Sequence, residues 1–404
     1  MWRQTDGFCV VRNYYEVSMD FFKPRISQFI SDQGLELAEF PIAYYISASG
    51  YQIFGFYECI PRLVSLFFVL WGLWCLYRLL ADLWSDPFYA VVVSLFLFTS
   101  PVLISYSIVP LPDIPGMLLS LVGLYYFYLF YRSDKLAYLF VSFIVYAVAG
   151  AIKPTSILSF LSILPVTLIW YISALIKPDV LNGISRRKVL FIFIYTVATL
   201  SIVVAWWSYV SYFRAIYHTS YFQTYANPIW KGTPEQLQLT WLEFDKKWLN
   251  HYFNKPMFIA VGIILVFALF FTTRRTASFV LSFFIYVIGC AAYILFFFTQ
   301  FYMHDYYIIV VLPLFIAAIF LILSIIRDRV PSLFISRSFK GMILLIFIVN
   351  VCYAGYRSDR RWHDPTNYPT DHLQLVNIEP YLDSIGVHAS DRVIYWGDFA
   401  PNTG

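Results

Sequence analysis

Past Ile60 the chain alternates long apolar runs with short polar breaks, and before it no apolar run reaches the length of a membrane span. A spanning helix needs about 20 mostly apolar residues. About ten stretches meet that rule: roughly 60–80, 88–109, 112–132, 136–152, 155–176, 189–211, 256–273, 277–299, 307–326 and 340–356. Short turns such as Val109-Pro-Leu-Pro-Asp113 and Arg132-Ser-Asp-Lys135 join neighbours into helical hairpins, because proline ends one helix and starts the next. The pattern predicts three parts: a polar first loop over 1–59, a transmembrane bundle over 60–356, and the start of a soluble α/β domain over 357–404. In that last part Leu373 to Ile385 reads as a helix and Arg392 to Trp396 as a strand, cut short before a domain closes. The fold class expected is an all-α polytopic membrane protein. No internal repeat or low-complexity tract breaks the pattern.

Composition agrees. Of 404 residues, 60% are hydrophobic and only 13% charged. A soluble domain carries about 25% charge. Aromatic residues reach 21%, which suits a large surface at the lipid–water interface. The net charge of +4 is modest, and the basic residues sit between apolar runs. They read as orientation signals, with no nucleic-acid partner implied. The five cysteines are scattered without metal or redox spacing. Cys9 and Cys59 read as free thiols, or as a pair if they meet outside the membrane.

Loop charge sets the orientation. If 1–59 is outside, the inner loops carry Arg78, Arg132, Lys135, Lys177, Arg186, Arg187, Lys188, Arg274, Arg275, Arg327, Arg329, Arg337 and Lys340. The outer side then holds the turns at 110–115 and 153–154, the long loop 212–255, the segment 299–307 and the tail. A polar outer start at Met1 leads us to expect a further spanning helix upstream of it.

With this topology Asp6, Arg12, Glu39, Asp113, Lys153, His304 and Asp305 fall on one face. Polar groups near a membrane are costly and mark a site or a wet cavity. Asp6, beside Arg3, reads as an ionised carboxylate able to act as general base, or as a solvated loop acid. Glu39, ahead of the helical stretch 41–54, reads as a helix-start acid or as a second site carboxylate that could hold a divalent cation. Asp113 reads equally as a helix N-cap and as part of a site. His304, Tyr306 and Tyr307 open a helix at the outer surface, as phosphate contacts or as part of an aromatic belt. Arg3, Arg12, Arg25, Lys153 and Arg214 are candidate phosphate cations or snorkelling anchors.

Trp2-Arg-Gln-Thr-Asp6, Val11-Arg-Asn-Tyr-Tyr15 and Phe22-Lys-Pro-Arg25 resemble the first outer loop of bacterial GT-C glycosyltransferases. These are the family 39-like relatives of the dolichyl-phosphate-mannose protein mannosyltransferases and of the aminoarabinose transferase of lipid A. Glu39-Phe-Pro-Ile-Ala-Tyr-Tyr45, Pro61-Arg-Leu-Val-Ser65, Pro112-Asp113, Lys153-Pro154 and His304-Asp-Tyr-Tyr307 follow in the family's order. The resemblance implies a GT-C-type bundle in a bacterial inner membrane, with its site on the periplasmic side. It implies a polyprenyl-phosphate sugar donor, a lipid, glycan or protein acceptor, and inversion at the anomeric carbon. It gives Asp6 the role of base and Glu39 that of second acid. It names no certain cofactor, and a divalent cation stays open. In the aminoarabinose branch a lysine follows the second acid. Here that residue is Phe40, so the resemblance does not extend to that substrate.

Three other classes fit the same pattern less well. A flippase of lipid-linked saccharide would place charges mid-helix along a path, whereas here they cluster at one surface. A polysaccharide polymerase or ligase would use a large late outer loop, and 212–255 supplies one with Arg214, His218 and His251. A purely structural membrane subunit would leave Asp6 and Glu39 as solvated acids.

Overall fold

The computed structural model describes residues 2–27, 34–176, 186–222, 226–245, 249–302, 304–363 and 383–386. Within them the chain is helical apart from turns, and the β contact is one isolated bridge between Arg25 and Leu35. Contacts divide the chain into two compact units, Met1–Gly355 and Tyr356–Gly404. The helix and strand expected over 373–396 fall almost wholly outside the described residues.

The expected first loop holds two helices, α1 (Trp2–Glu16) and α2 (Ile42–Phe54). The signal for α1 is the spacing of Gly7, Val10, Val11 and Tyr14, an i, i+3, i+4, i+7 face hidden among polar residues. Val10, Val11 and Tyr14 are buried in one cluster with Tyr44, Ala48 and Tyr51 of α2. The polar look of the segment comes from the opposite face of α1, where Arg12 and Glu16 pair in solvent.

Next come α3 (Cys59–Trp84), α4 (Pro87–Leu97), α5 (Pro101–Tyr106), α6 (Asp113–Ser133) and α7 (Leu136–Ile152). They are followed by α8 (Leu158–Ile176), α9 (Arg186–Tyr217), α10 (Pro234–Glu243) and α11 (Leu249–Tyr252). Then α12 (Lys255–Leu269), α13 (Ala277–Phe296), α14 (Leu312–Arg329), α15 (Pro331–Ile335) and α16 (Arg337–His363) complete the described helices. Six are long and apolar enough to cross a membrane: α3, α6, α9, α13, α14 with its 3₁₀ lead-in, and α16. The other four expected stretches form shorter apolar helices. The stretch 88–109 is one of these and breaks in two. Pro101 cannot donate a backbone hydrogen bond, and Thr99 turns its hydroxyl to the Phe96 carbonyl at 2.8 Å, so α4 ends and α5 begins.

The core centres on α6, with α3 and α7 packed against it. A side chain at Gly123 would meet the Tyr146 ring at 2.7 Å, so only glycine lets α6 and α7 approach this closely. The most apolar windows of α6 and of the α14 span are 72% buried, whereas those of α9 and α13 are 22% buried. The first two are therefore interior helices, and the second two turn apolar faces outward as lipid would require.

The helices run between two polar ends. At one end Lys188 pairs with Asp134, Lys340 with Asp86 and Arg132 with Asp82. At the other lie the starts of α3 and α6 and the end of α7. α9 reaches this end and continues to Tyr217, so the expected loop 212–255 begins as helix. His218 then takes a left-handed φ of 52° and turns the chain back, as a residue closing a helix often does.

Candidate active site

Asp6 sits on α1, and α1 is docked on the turn before α6. A Cβ on Gly7 would lie 2.1 Å from the Pro110 carbonyl oxygen, so the helix rests on that turn through bare backbone. Arg62 of α3 adds a contact over the Phe8 ring at 5.1 Å. Asp6 is buried, and the Tyr221 hydroxyl donates to its Oδ1 at 3.0 Å. It is therefore a buried helix acid and not the solvated loop acid that residue type allowed.

Tyr221 follows the turn at His218, and Glu36 fixes its backbone. The Glu36 carboxylate accepts from Tyr221 N at 3.3 Å and Phe222 N at 3.4 Å, and pairs with Arg214 Nη1 at 3.0 Å. Arg214 also donates to the Phe222 carbonyl at 2.7 Å. Burial pushes the Glu36 carboxyl above its usual range, and Arg214 with the two backbone N–H groups pulls it back only in part. Arg214, a candidate phosphate cation by sequence, is committed to this pair.

Glu39 is buried, and the Tyr44 hydroxyl donates to its Oε1 at 3.2 Å. A small cleft between Val10, Pro24, Glu36, Glu39, Tyr44 and Phe222 joins the two acids. Phe40 N donates to Ala151 O at 3.3 Å, and the Phe40 ring meets Trp206 edge-on at 4.8 Å. The Glu39 segment is thereby tied to the end of α7, two residues before Lys153. Phe40 serves as packing.

Lys153 Nζ forms an ion pair with the buried Asp113 carboxylate. Asp113 is the first residue of α6, the cap position is Pro112, and no side-chain cap bond forms. Of the two readings of Asp113, the helix cap is thus not formed, and the carboxylate goes to the salt bridge instead. Lys153 Nζ also lies 4.5 Å from the centre of the Tyr307 ring, and His304 stacks on that ring at 5.5 Å. Tyr306 packs beside both. Tyr106 donates to buried Asp305 at 2.8 Å, fixing the start of the α14 span.

Contacts therefore link Asp6, Glu39, Asp113, Lys153, His304, Tyr306 and Tyr307 at one end of the bundle. Arg12 is not among them; it faces solvent with Glu16 and the Phe56 ring. The Arg3 side chain lies outside the described residues. Arg25 anchors the first segment through its backbone, where Asn13 Nδ2 donates to its carbonyl at 3.1 Å. Cys9 contacts Ser27, Cys59 is exposed, and both are free thiols. Among the described residues no three His, Cys, Asp or Glu side chains converge to hold a metal ion. Glu36, Tyr106 and Tyr221 escaped the sequence reading. An acid set between Leu35 and Leu37 was a readable sign for Glu36. The two tyrosines carry none among 33.

Residues 38–209 match the family described as dolichyl-phosphate-mannose-protein mannosyltransferase. No curated protein matches the chain significantly. Among solved structures, the crystal structure of ArnT from Cupriavidus metallidurans in the apo state is similar, with a TM-score of 0.51 and 18% identity. The match covers 85% of this chain and 57% of that one, so the chain spans less than two thirds of its structural relative. Likeness at this identity speaks for the fold. With six apolar helices of spanning length among the described residues, the chain is a multi-pass membrane protein. It has the GT-C fold and, over residues 38–209, the sequence pattern of the dolichyl-phosphate-mannose-protein mannosyltransferase family.

Proposed function

We propose that the chain is a glycosyltransferase that moves a sugar from a polyprenyl-phosphate donor to a hydroxyl acceptor at the outer face of a bacterial inner membrane. The acceptor is a lipid, glycan or protein. The observation that carries the reading is the linked set of Asp6, Glu39, Asp113, Lys153 and His304 at one end of an otherwise apolar bundle.

The donor enters from the bilayer, and its phosphate meets Lys153. Asp113 holds that lysine in place, and the ring of Tyr307 covers one side of it. Asp6 takes the proton of the acceptor hydroxyl as the acceptor oxygen bonds to the anomeric carbon. The bond from that carbon to the phosphate oxygen breaks on the opposite face, and its electron pair leaves with polyprenyl phosphate. The configuration inverts. Phosphate is a good leaving group, so little acid catalysis is required, in keeping with a site of carboxylates and cations. Glu39, held by Tyr44, orients the sugar or acceptor hydroxyls.

The test offers the intact protein radiolabelled short-chain polyprenyl-phosphate mannose, glucose and aminoarabinose in parallel, and measures release of polyprenyl phosphate. Release from at least one donor, with the sugar transferred, supports the reading. No release from any, with donor moved across a proteoliposome membrane, supports a flippase.

A further inference from the structure

We propose that Tyr221 is a positioning residue for Asp6, and that the buried Glu36–Arg214 pair sets where its hydroxyl lies. The proposal rests on the reading of Asp6 as general base. Three polar backbone groups of two adjacent residues are tied to this single ion pair. Tyr221 N and Phe222 N donate to the Glu36 carboxylate, and the Phe222 carbonyl accepts from Arg214. With its backbone held, a tyrosine places its hydroxyl through two torsions only. The Tyr221 ring has little freedom in either. It packs against the cluster that α1 and α2 share, and meets the Phe222 ring at 4.9 Å.

The outcome is a hydroxyl donor 3.0 Å from Asp6 Oδ1. A donor on that oxygen orients the carboxylate. Glu36 is almost fully buried, with side-chain exposure of 1% against 15% for Arg214. Burying such a pair is expensive, and apolar residues commonly hold a fold as well or better. The pair's product is geometry. It joins the segment before α2, the end of α9 and, through Tyr221, the acid on α1.

The experiment measures Tyr221→Phe, Glu36→Gln and Asp6→Asn in the intact detergent-purified protein, with the same three radiolabelled donors. For Tyr221→Phe we expect kcat to fall roughly tenfold to a hundredfold, donor KM to stay within about twofold and the melting midpoint to hold. A purely structural tyrosine would lower the midpoint and leave kcat per folded molecule unchanged. For Glu36→Gln the same loss in kcat is expected. Amide exchange at Tyr221 and Phe222 should also become about tenfold faster, because one carboxylate acceptor becomes an amide donor. In the Asp6→Asn background, Tyr221→Phe should cost almost nothing further.

An inactive Asp6→Asn beside a fully active Tyr221→Phe would overturn the positioning role and leave the base assignment standing. A fully active Asp6→Asn would overturn the base assignment, and this proposal with it. The exchange measurement needs no turnover. Unchanged protection at residues 221 and 222 in Glu36→Gln would overturn the clamp with any donor or none.

Discussion

Lys153 at the end of α7 is ion-paired with Asp113 at the start of α6, and the ring of Tyr307 lies 4.5 Å from its ammonium. One cation is thus held between a buried carboxylate and an aromatic face. Two of its directions are occupied, and an ammonium has three protons to give. On the proposed function, the remaining one meets the donor phosphate.

Replacing Lys153 by Gln should raise the donor KM roughly tenfold to a hundredfold, the worth of one charge-assisted hydrogen bond. kcat should change less. Initial rates over a range of donor concentrations check this. Asp113→Asn removes the carboxylate and leaves the cation half-buried without its counter-charge, so stability should drop by about 3 kcal/mol. Chemical denaturation in detergent measures it.

Gly7 is the contact point between α1 and the Pro110 turn. Gly7→Ala puts a methyl carbon 2.1 Å from a backbone oxygen, where no side chain can yield. The helix must move, and Asp6 moves with it. We expect a loss of about 1–3 kcal/mol in stability together with a fall in kcat. A variant as active and as stable as the wild type would remove α1 docking from the account.

Much of this arrangement was legible in the sequence. Hydropathy located the apolar elements, since membrane helices must satisfy their own backbone and cover it with apolar side chains. Spacing of Pro and charge marked the turns that carry Asp113, Lys153 and His304. What stayed hidden has physical causes. α1 read as a loop because its buried face is only Gly7, Val10, Val11 and Tyr14, and burial against α2 supplies most of its stability. The split of 88–109 into α4 and α5 hung on one proline inside an apolar run. Asp113 read equally as a cap because its partner Lys153 is 40 residues away. Tyr221 meets Asp6 across 215 residues, a distance that no local pattern spans.

The Glu36 carboxyl gives a pH signature. Burial raises its folded pKa above the ordinary glutamate value of 4.5. Between the two values the folded state binds more protons than the unfolded one, so stability falls as pH rises through that window. Below the window Glu36 is neutral in both states, and above it charged in both. Gln does not titrate. The melting midpoint of the wild type relative to Glu36→Gln should therefore be highest below about 4.5, decline as pH rises past it, and then level off. A gap that widens in favour of the wild type over that window would contradict the sign. At neutral pH, Glu36→Gln should turn over more slowly than the wild type, with Arg214 left mostly buried beside a neutral partner.

The central claim is that Asp6 takes the acceptor's proton. Its most direct test compares Asp6→Asn with the wild type in single-turnover release of polyprenyl phosphate from a radiolabelled short-chain donor at saturating concentration. Asn keeps the size and can still accept from Tyr221, but it cannot serve as a base. We predict a loss of about 10²–10⁴ in rate with donor binding retained. Release at the wild-type rate would contradict the claim.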